Sequence, residues 1–201
     1  MSANKKREAM LVQEFVPEPD AFYLGINSLN IKSVEAAKKR KASVLPVAAK
    51  HICREIHAEV CRSGGRIDLS RTALNYTLIP GIMSEGAITT RASTVMEEHG
   101  IDRRRLRKDK LMGAELVFFL SPKFKYDLGI YFAEWPEWTM RHFPAPAQII
   151  AAIVHLDEDA PHLHIILVPV VAHGRMSGHD VVSYKGLYAK RVNSFHDGVA
   201  Q

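Results

Sequence analysis

The sequence predicts an α+β fold in which helices flank a central antiparallel sheet. Three observations lead there. The densest apolar runs, at 111–120 (LMGAELVFFL), 148–154 and 163–172, have the length and composition of buried strands. None approaches the roughly 18 apolar residues that a membrane span needs. Second, the segments 147–156 and 162–171 are separated only by DEDAP, a loop short enough for an antiparallel hairpin. Third, helical-period segments fall between the strands without the regular alternation of a doubly wound sheet, so the helices are expected on one face.

The elements follow in order. Residues 1–20 are polar and carry Pro17 and Pro19, which reads as a loose arm before a single domain over 21–201. Residues 21–31 (AFYLGINSLNI) are the first strand, and the basic stretch 32–41 after it is a solvated loop or helix face. Pro46 suits a first helical turn. From there Val47, Ala48, Ile52, Ile56 and Val60 keep near-helical spacing, so a helix is expected over 47–61, stopped by Ser63-Gly64-Gly65. Residues 67–78 form a short segment that ends at the Pro80-Gly81 turn. Residues 84–100 are a helix closing on Gly100. Residues 127–141 are an amphipathic helix that Pro136 is expected to kink or split. Its Tyr131, Phe132, Trp135 and Trp138 have the spacing of core packing. Residues 181–199 are a last helix with several basic positions.

Composition limits the function classes. Of 201 residues, 47% are hydrophobic and 24% charged, which excludes a wholly disordered or collagen-like chain. Lys and Arg total 27 against 22 Asp and Glu, a formal charge of +5 that is compatible with a polyanionic partner without requiring one. The two cysteines make neither a disulfide framework nor a CxxC metal pattern, and a reducing compartment is expected. The basic start MSANKKREAM lacks a following apolar stretch of signal-peptide length, so the expected location is cytoplasmic.

The chemistry concentrates in His155-Leu156-Asp157-Glu158-Asp159-Ala160-Pro161-His162-Leu163-His164. In a strand, side chains at i and i+2 point to one face, so His162 and His164 project together. His155 ends the preceding strand and reaches the same patch across the hairpin. Three imidazoles converging on a sheet make a metal site with open positions, able to polarise a carbonyl or phosphoryl oxygen. Asp157 and Glu158 are placed to orient a ligand histidine or to complete the shell. With ten histidines in the chain a His-x-His pair alone is a weak signal; the third His, the two acids and Pro161 give it weight. Imidazoles suit Zn, Cu, Fe or Ni, while a site that handles phosphate favours Mn or Mg, whose hard oxygen ligands the substrate supplies.

HLDEDAPHLH resembles the HxDExxPHxH signature of the Mob/Pre (MobV-type) plasmid mobilisation relaxases, members of the HUH endonucleases. These are named for two His around a hydrophobic residue, here His162-Leu163-His164. Upstream, KHICRE at 50–55 and IDLSRTALNY at 67–76 are similar to the family's first motif, a His-Asn-x-Arg core followed by I-(D/N)-x-S-R-(S/T)-x-L-N-Y. Residues 183–197 resemble, more weakly, the helix after the metal strand. The likeness spans about residues 21–199 in two specific patches. It departs from the pattern at Ile52, where the family carries Asn.

The resemblance implies an HUH relaxase-like fold that nicks and rejoins single-stranded or hairpin DNA at an origin of transfer. The metal polarises the scissile phosphate, and a side chain attacks phosphorus. The enzyme stays joined to the 5′ end and releases a 3′-hydroxyl. By motif matching, His51 is the nucleophile, Arg54 one helical turn later steadies phosphate charge, and His155, His162 and His164 hold Mn or Mg with Glu158 as an added partner. Other HUH enzymes use tyrosine, and Tyr184 and Tyr188 share one helical face as the alternative nucleophiles of an initiator- or transposase-like enzyme. A non-cleaving DNA-binding module of the same fold is the third reading. DNA contacts are expected from Arg71, Asn75 and Tyr76, and from the basic cluster Arg103, Arg104, Arg105, Arg107, Lys108 and Lys110.

Overall fold

The structure, a computed structural model, describes residues 22–30, 43–56, 67–107, 110–123, 127–143, 146–183 and 187–199. The expected arm over 1–20, the basic stretch 32–41, Lys108, Tyr184 and positions 57–61 of the expected second element lie outside the described residues.

Eight strands and four α-helices are described: β1 (Phe22–Asn30), β2 (Ser43–Val44), α1 (Leu45–Ile52), β3 (Tyr76–Thr77), α2 (Glu85–Glu98), β4 (Leu111–Leu120), α3 (Leu128–His142), β5 (Gln148–His155), β6 (His162–Val168), β7 (Val170–Ala172), β8 (Arg175–Met176) and α4 (Leu187–Val199). The main sheet has the order β2-β1-β4-β6-β5-β3, and β7 and β8 form a separate small hairpin. Every pairing in the main sheet is antiparallel except β1 with the short edge strand β2. The expected α+β class and antiparallel hairpin are present.

One expectation needs correction: the helices cover both faces. Ala114, Leu116, Phe118 and Leu120 of β4 and Leu163, Ile165 and Leu167 of β6 pack with Phe132, Trp135 and Trp138 of α3 and Phe195 of α4. Across the sheet, Ile153 of β5 and Ile166 and Val168 of β6 pack with Leu45, Ala49 and Ile52 of α1 and Ile88, Ala92 and Met96 of α2. Burial on both sides is why the central strands read as continuous apolar runs rather than alternating ones. The aromatic residues of α3 are core, with Phe118 stacked on Trp135 at 5.3 Å. Pro136 does not split α3, which runs unbroken from Leu128 to His142.

The two helices on the second face end in the same way. In α2, Ser84 caps the start by accepting from the Ala87 N–H. At its other end the N–H groups of Gly100 and Ile101 bond the carbonyls of Glu97 and Met96, with Gly100 at φ 68°. In α1 the N–H groups of Arg54 and Glu55 bond the carbonyls of His51 and Lys50, with Arg54 at φ 58°. This closure usually takes glycine at the left-handed position. Arginine stands there in α1, so the helix stops at Ile52 instead of continuing to 61, and Arg54 does not follow His51 on a helical face.

Candidate metal centre at the histidine hairpin

His162 of β6 pairs directly with His155 of β5 on one side and Phe119 of β4 on the other. His164, two residues along, faces the same side. Their ring centroids are 4.7–5.0 Å apart. One nitrogen from each lies within 4.8 Å of the others, an arrangement that can hold a metal ion. All three residues are buried.

The outer nitrogens decide which inner ones carry lone pairs. His155 Nε2 lies 2.7 Å from the Ile52 carbonyl and His162 Nδ1 2.8 Å from the Ala160 carbonyl. A carbonyl only accepts, so both of these nitrogens carry hydrogen. His164 Nδ1 likewise donates to Glu115 Oε1 at 2.9 Å. That leaves His155 Nδ1, His162 Nε2 and His164 Nε2 as the inward lone pairs. His164 Nε2 is buried without a hydrogen-bond partner, and the other two approach to 3.2 Å. Converging lone pairs repel unless a cation lies among them, and an outer N–H held by a carbonyl or carboxylate is the usual setting of a ligating imidazole. The residues therefore fit a divalent metal. Burial, helped by neighbouring positive charge, pushes the pKa of His155 and of His162 well below the ordinary histidine value, which favours the neutral form that ligates.

Glu115 is absent from the expected site residues. It lies on β4 facing the histidines, is 7% exposed, and also accepts from Asn27 Nδ2 at 3.3 Å. Burial opposes its ionisation, yet the bond from His164 holds its carboxyl below the usual range. The available signal was a lone acid inside the apolar run LMGAELVFFL.

The end of α1 meets this cluster. The Ile52 carbonyl anchors His155, while the Ile52 side chain lies in the core. The departure at this position thus adds apolar packing and puts no side chain into the site. His51, one residue earlier, sits edge-on to His164 at 6.0 Å between ring centroids.

Arg54, expected to steady phosphate charge, is held by two carboxylates of the hairpin loop. Its Nε and Nη2 donate to the two Asp157 oxygens at 3.0 and 2.7 Å, and Nη2 also reaches Glu158 Oε1 at 2.6 Å and His155 Nδ1 at 3.1 Å. Asp157 is fully buried. It accepts from Thr72 Oγ1 at 3.0 Å, and its backbone carbonyl accepts from the Asp68 N–H at 2.7 Å. Burial alone would raise its pKa; the bonds from Arg54, Asn75 and Thr72 outweigh that and hold it at about 2. Glu158 Oε1 lies 4.0 Å from His162 Nε2, at the edge of the cluster.

The remaining expected residues are scattered. Asn75 accepts from the Leu156 N–H at 2.8 Å, so its side chain ties the 67–76 segment to the hairpin. Arg71 is exposed. Tyr76 on β3 packs on the α3 face, opposite the histidines. Arg103, Arg104 and Arg105 form a short 3-10 turn, with the Arg104 and Arg105 side chains 93% and 88% exposed. Beside them a depression of about 790 Å³ is lined by Glu97, Gly100, Ile101 and Asp102, near the β7–β8 hairpin and away from the histidines. Arg107 and Lys110 lead from that turn into β4. Tyr188 lies on α4, whose Phe195 packs on the α3 face. No helix among the described residues is long and apolar enough to cross a membrane.

Comparison with known proteins identifies the family and the fold. The chain is 25% identical over 140 residues to plasmid recombination enzyme type 3 of Staphylococcus aureus, covering 67% of this chain and 33% of that protein. It is 28% identical over 131 residues to a plasmid recombination enzyme of Lactiplantibacillus plantarum, covering 60% and 34%. The matched region thus spans about a third of these curated relatives. The fold matches a Mn-bound crystal structure of the MobM relaxase domain (MOBV; Mob_Pre) with plasmid pMV158 oriT DNA, at a TM-score of 0.62, 22% identity and 86% coverage of both chains. The model of the Mob_Pre family, described as plasmid recombination enzyme, matches residues 30–201. With its histidine hairpin and both upstream motifs inside that span, the chain belongs to the Mob_Pre family of plasmid recombination enzymes.

Proposed function

We propose that this chain is the DNA-cutting domain of a plasmid mobilisation or recombination relaxase, acting in the cytoplasm. It nicks and rejoins one DNA strand at a specific site in an origin of transfer and stays joined to the 5′ end. The observation that carries this reading is the set of three inward lone pairs, on His155 Nδ1, His162 Nε2 and His164 Nε2, beside His51. A bound divalent ion, Mn or Mg by its fit to phosphate oxygens, would polarise the scissile phosphate. The Mn-bound, oriT-bound state of the MobM domain supports a metal of this kind and a DNA substrate.

His51 is the nucleophile in this reading. A neutral imidazole nitrogen attacks phosphorus, a P–N bond forms and the P–O3′ bond breaks. The proton shed by the ring ends on the released 3′-hydroxyl. Rejoining reverses each step. Glu115 keeps His164 turned inward, and Arg54 holds Asp157 and Glu158 against the cluster, so the site is assembled before DNA arrives. Arg71 and the exposed Arg103–Arg105 turn supply phosphate contacts away from the cut, with salt-dependent affinity.

The test is cleavage of labelled single-stranded hairpin oligonucleotides in Mn²⁺, Mg²⁺ or EDTA by wild type, His51→Ala and Tyr188→Phe. The expected result is a metal-dependent, acid-labile covalent adduct that only His51→Ala loses. An acid-stable adduct lost only in Tyr188→Phe would move the enzyme to the tyrosine branch. Absence of any adduct, together with no metal binding at the three histidines, would leave a DNA-binding module.

A further inference from the structure

We propose that Tyr23, backed by Phe119, is a stacking platform for a nucleobase flanking the cut phosphate; this deepens the DNA-cutting reading and rests on it. The register places Tyr23, Phe119, His162 and His155 in one row across β1, β4, β6 and β5. All four face the same side of the sheet. Phe119 lies against His162 with centroids 4.9 Å apart and planes 29° apart, and Tyr23 follows at 5.8 Å from Phe119. An aromatic surface therefore runs without a break from a metal-site histidine to the edge of the face.

The Tyr23 ring leans along β1 with its Cε1–Oη edge toward Gly25, where a Cβ would meet Cε1 at 3.3 Å and Oη at 3.8 Å. The glycine leaves room for that lean, and Tyr23 remains 58% exposed. Leu29, on the same face of the same strand, is fully buried because it packs in the cluster formed with α1. The apolar cover stops before Tyr23.

A lone exposed tyrosine is ordinary on a protein surface. This one differs in the glycine that makes room beside its edge and in its continuity through Phe119 with His162. With strands about 4.8 Å apart, β1 is roughly 10 Å from β6. A base on a nucleotide adjoining a phosphate held at the histidines reaches that distance. Every base has a π-face, so the platform accepts any of the four and adds affinity without specifying sequence. An unpaired base offers that face and a duplex does not, so the ligand is single-stranded DNA.

The test uses binding of a labelled, mixed-sequence single-stranded oligonucleotide, followed by anisotropy across a salt series. Tyr23→Ala is expected to bind about tenfold more weakly, with Tyr23→Phe at wild-type affinity. The slope of affinity against salt stays the same, because the ring neutralises no phosphate. In Tyr23→Trp the new indole is exposed, unlike Trp135 and Trp138, and its emission is quenched by the single strand but not by duplex. Wild-type affinity in Tyr23→Ala with an unquenched Tyr23→Trp overturns the platform and leaves the cutting reading standing. No single-strand binding by the wild type overturns both.

Discussion

Replacing Arg54 with alanine removes two hydrogen bonds to Asp157, one to Glu158 and the contact with His155 Nδ1. Asp157 is fully buried and Arg54 only 6% exposed, so water cannot take the place of the guanidinium without opening the loop. Stranding one member of a buried ion pair costs about 3–5 kcal/mol. Thr72 still donates to Asp157, which puts the expectation near the lower end, about 3 kcal/mol. The backbone supplies a second, opposite effect. Arg54 sits at φ 58°, where a side chain costs about 1–2 kcal/mol and glycine costs little. Arg54→Gly loses the same bonds but sheds that strain, so it should be more stable than Arg54→Ala by about 1 kcal/mol. Urea unfolding at neutral pH measures both, with the wild-type midpoint above the glycine variant and the glycine variant above alanine. The acid limb adds a check. Because the folded pKa of Asp157 lies below its ordinary value of 3.8, its stabilisation is complete above that value and lost as pH falls toward 2. In Arg54→Ala the folded pKa rises toward its ordinary value or past it, so this acid-limb loss should shrink or vanish. Alanine within about 0.5 kcal/mol of wild type, or glycine no better than alanine, would refute the account of a strained residue held by its salt bridges.

Two further outcomes follow from the same geometry. Glu115→Ala should weaken Mn²⁺ binding about 10–100-fold by calorimetry with the far-ultraviolet spectrum unchanged, and Glu115→Gln, which still offers an oxygen to His164 Nδ1, should lose less. Gly100→Ala forces a side chain onto φ 68° and places its Cβ 2.5 Å from His173 Nε2, so thermal unfolding should report a loss of more than about 1 kcal/mol.

The parts of the molecule legible in the sequence are those governed by short-range rules. β4 and the β5–β6 hairpin could be read from apolar runs and a short loop, and they appear at or within one residue of the expected bounds, except that β6 ends at Val168, three residues before the expected end at 171. The convergence of His155, His162 and His164 followed from two-residue periodicity and hairpin pairing. The end of α2 could be read because Gly100 announces a left-handed closure. The end of α1 could not, since the same closure carries arginine and nothing in Arg54 marks a stop. What holds it there is a pair of carboxylates about a hundred residues away, at Asp157 and Glu158.

That difference marks the boundary between the two sources of information. The strand-forming segments, the hairpin and the cluster of imidazoles are written locally along the chain, because periodicity, turn chemistry and side-chain identity are local. The partners that surround that cluster come from the packed fold. Ile52 lends a carbonyl to His155 instead of a side chain, Glu115 crosses from β4 to hold His164, and Asn75 and Arg54 tie the hairpin loop to the body of the protein. The packed fold also decides that helices cover both faces, and which end of the second face stays open at Tyr23. The physical reason is that a buried polar group must find its partner wherever the packed chain supplies one, and residue spacing along the chain does not encode that place.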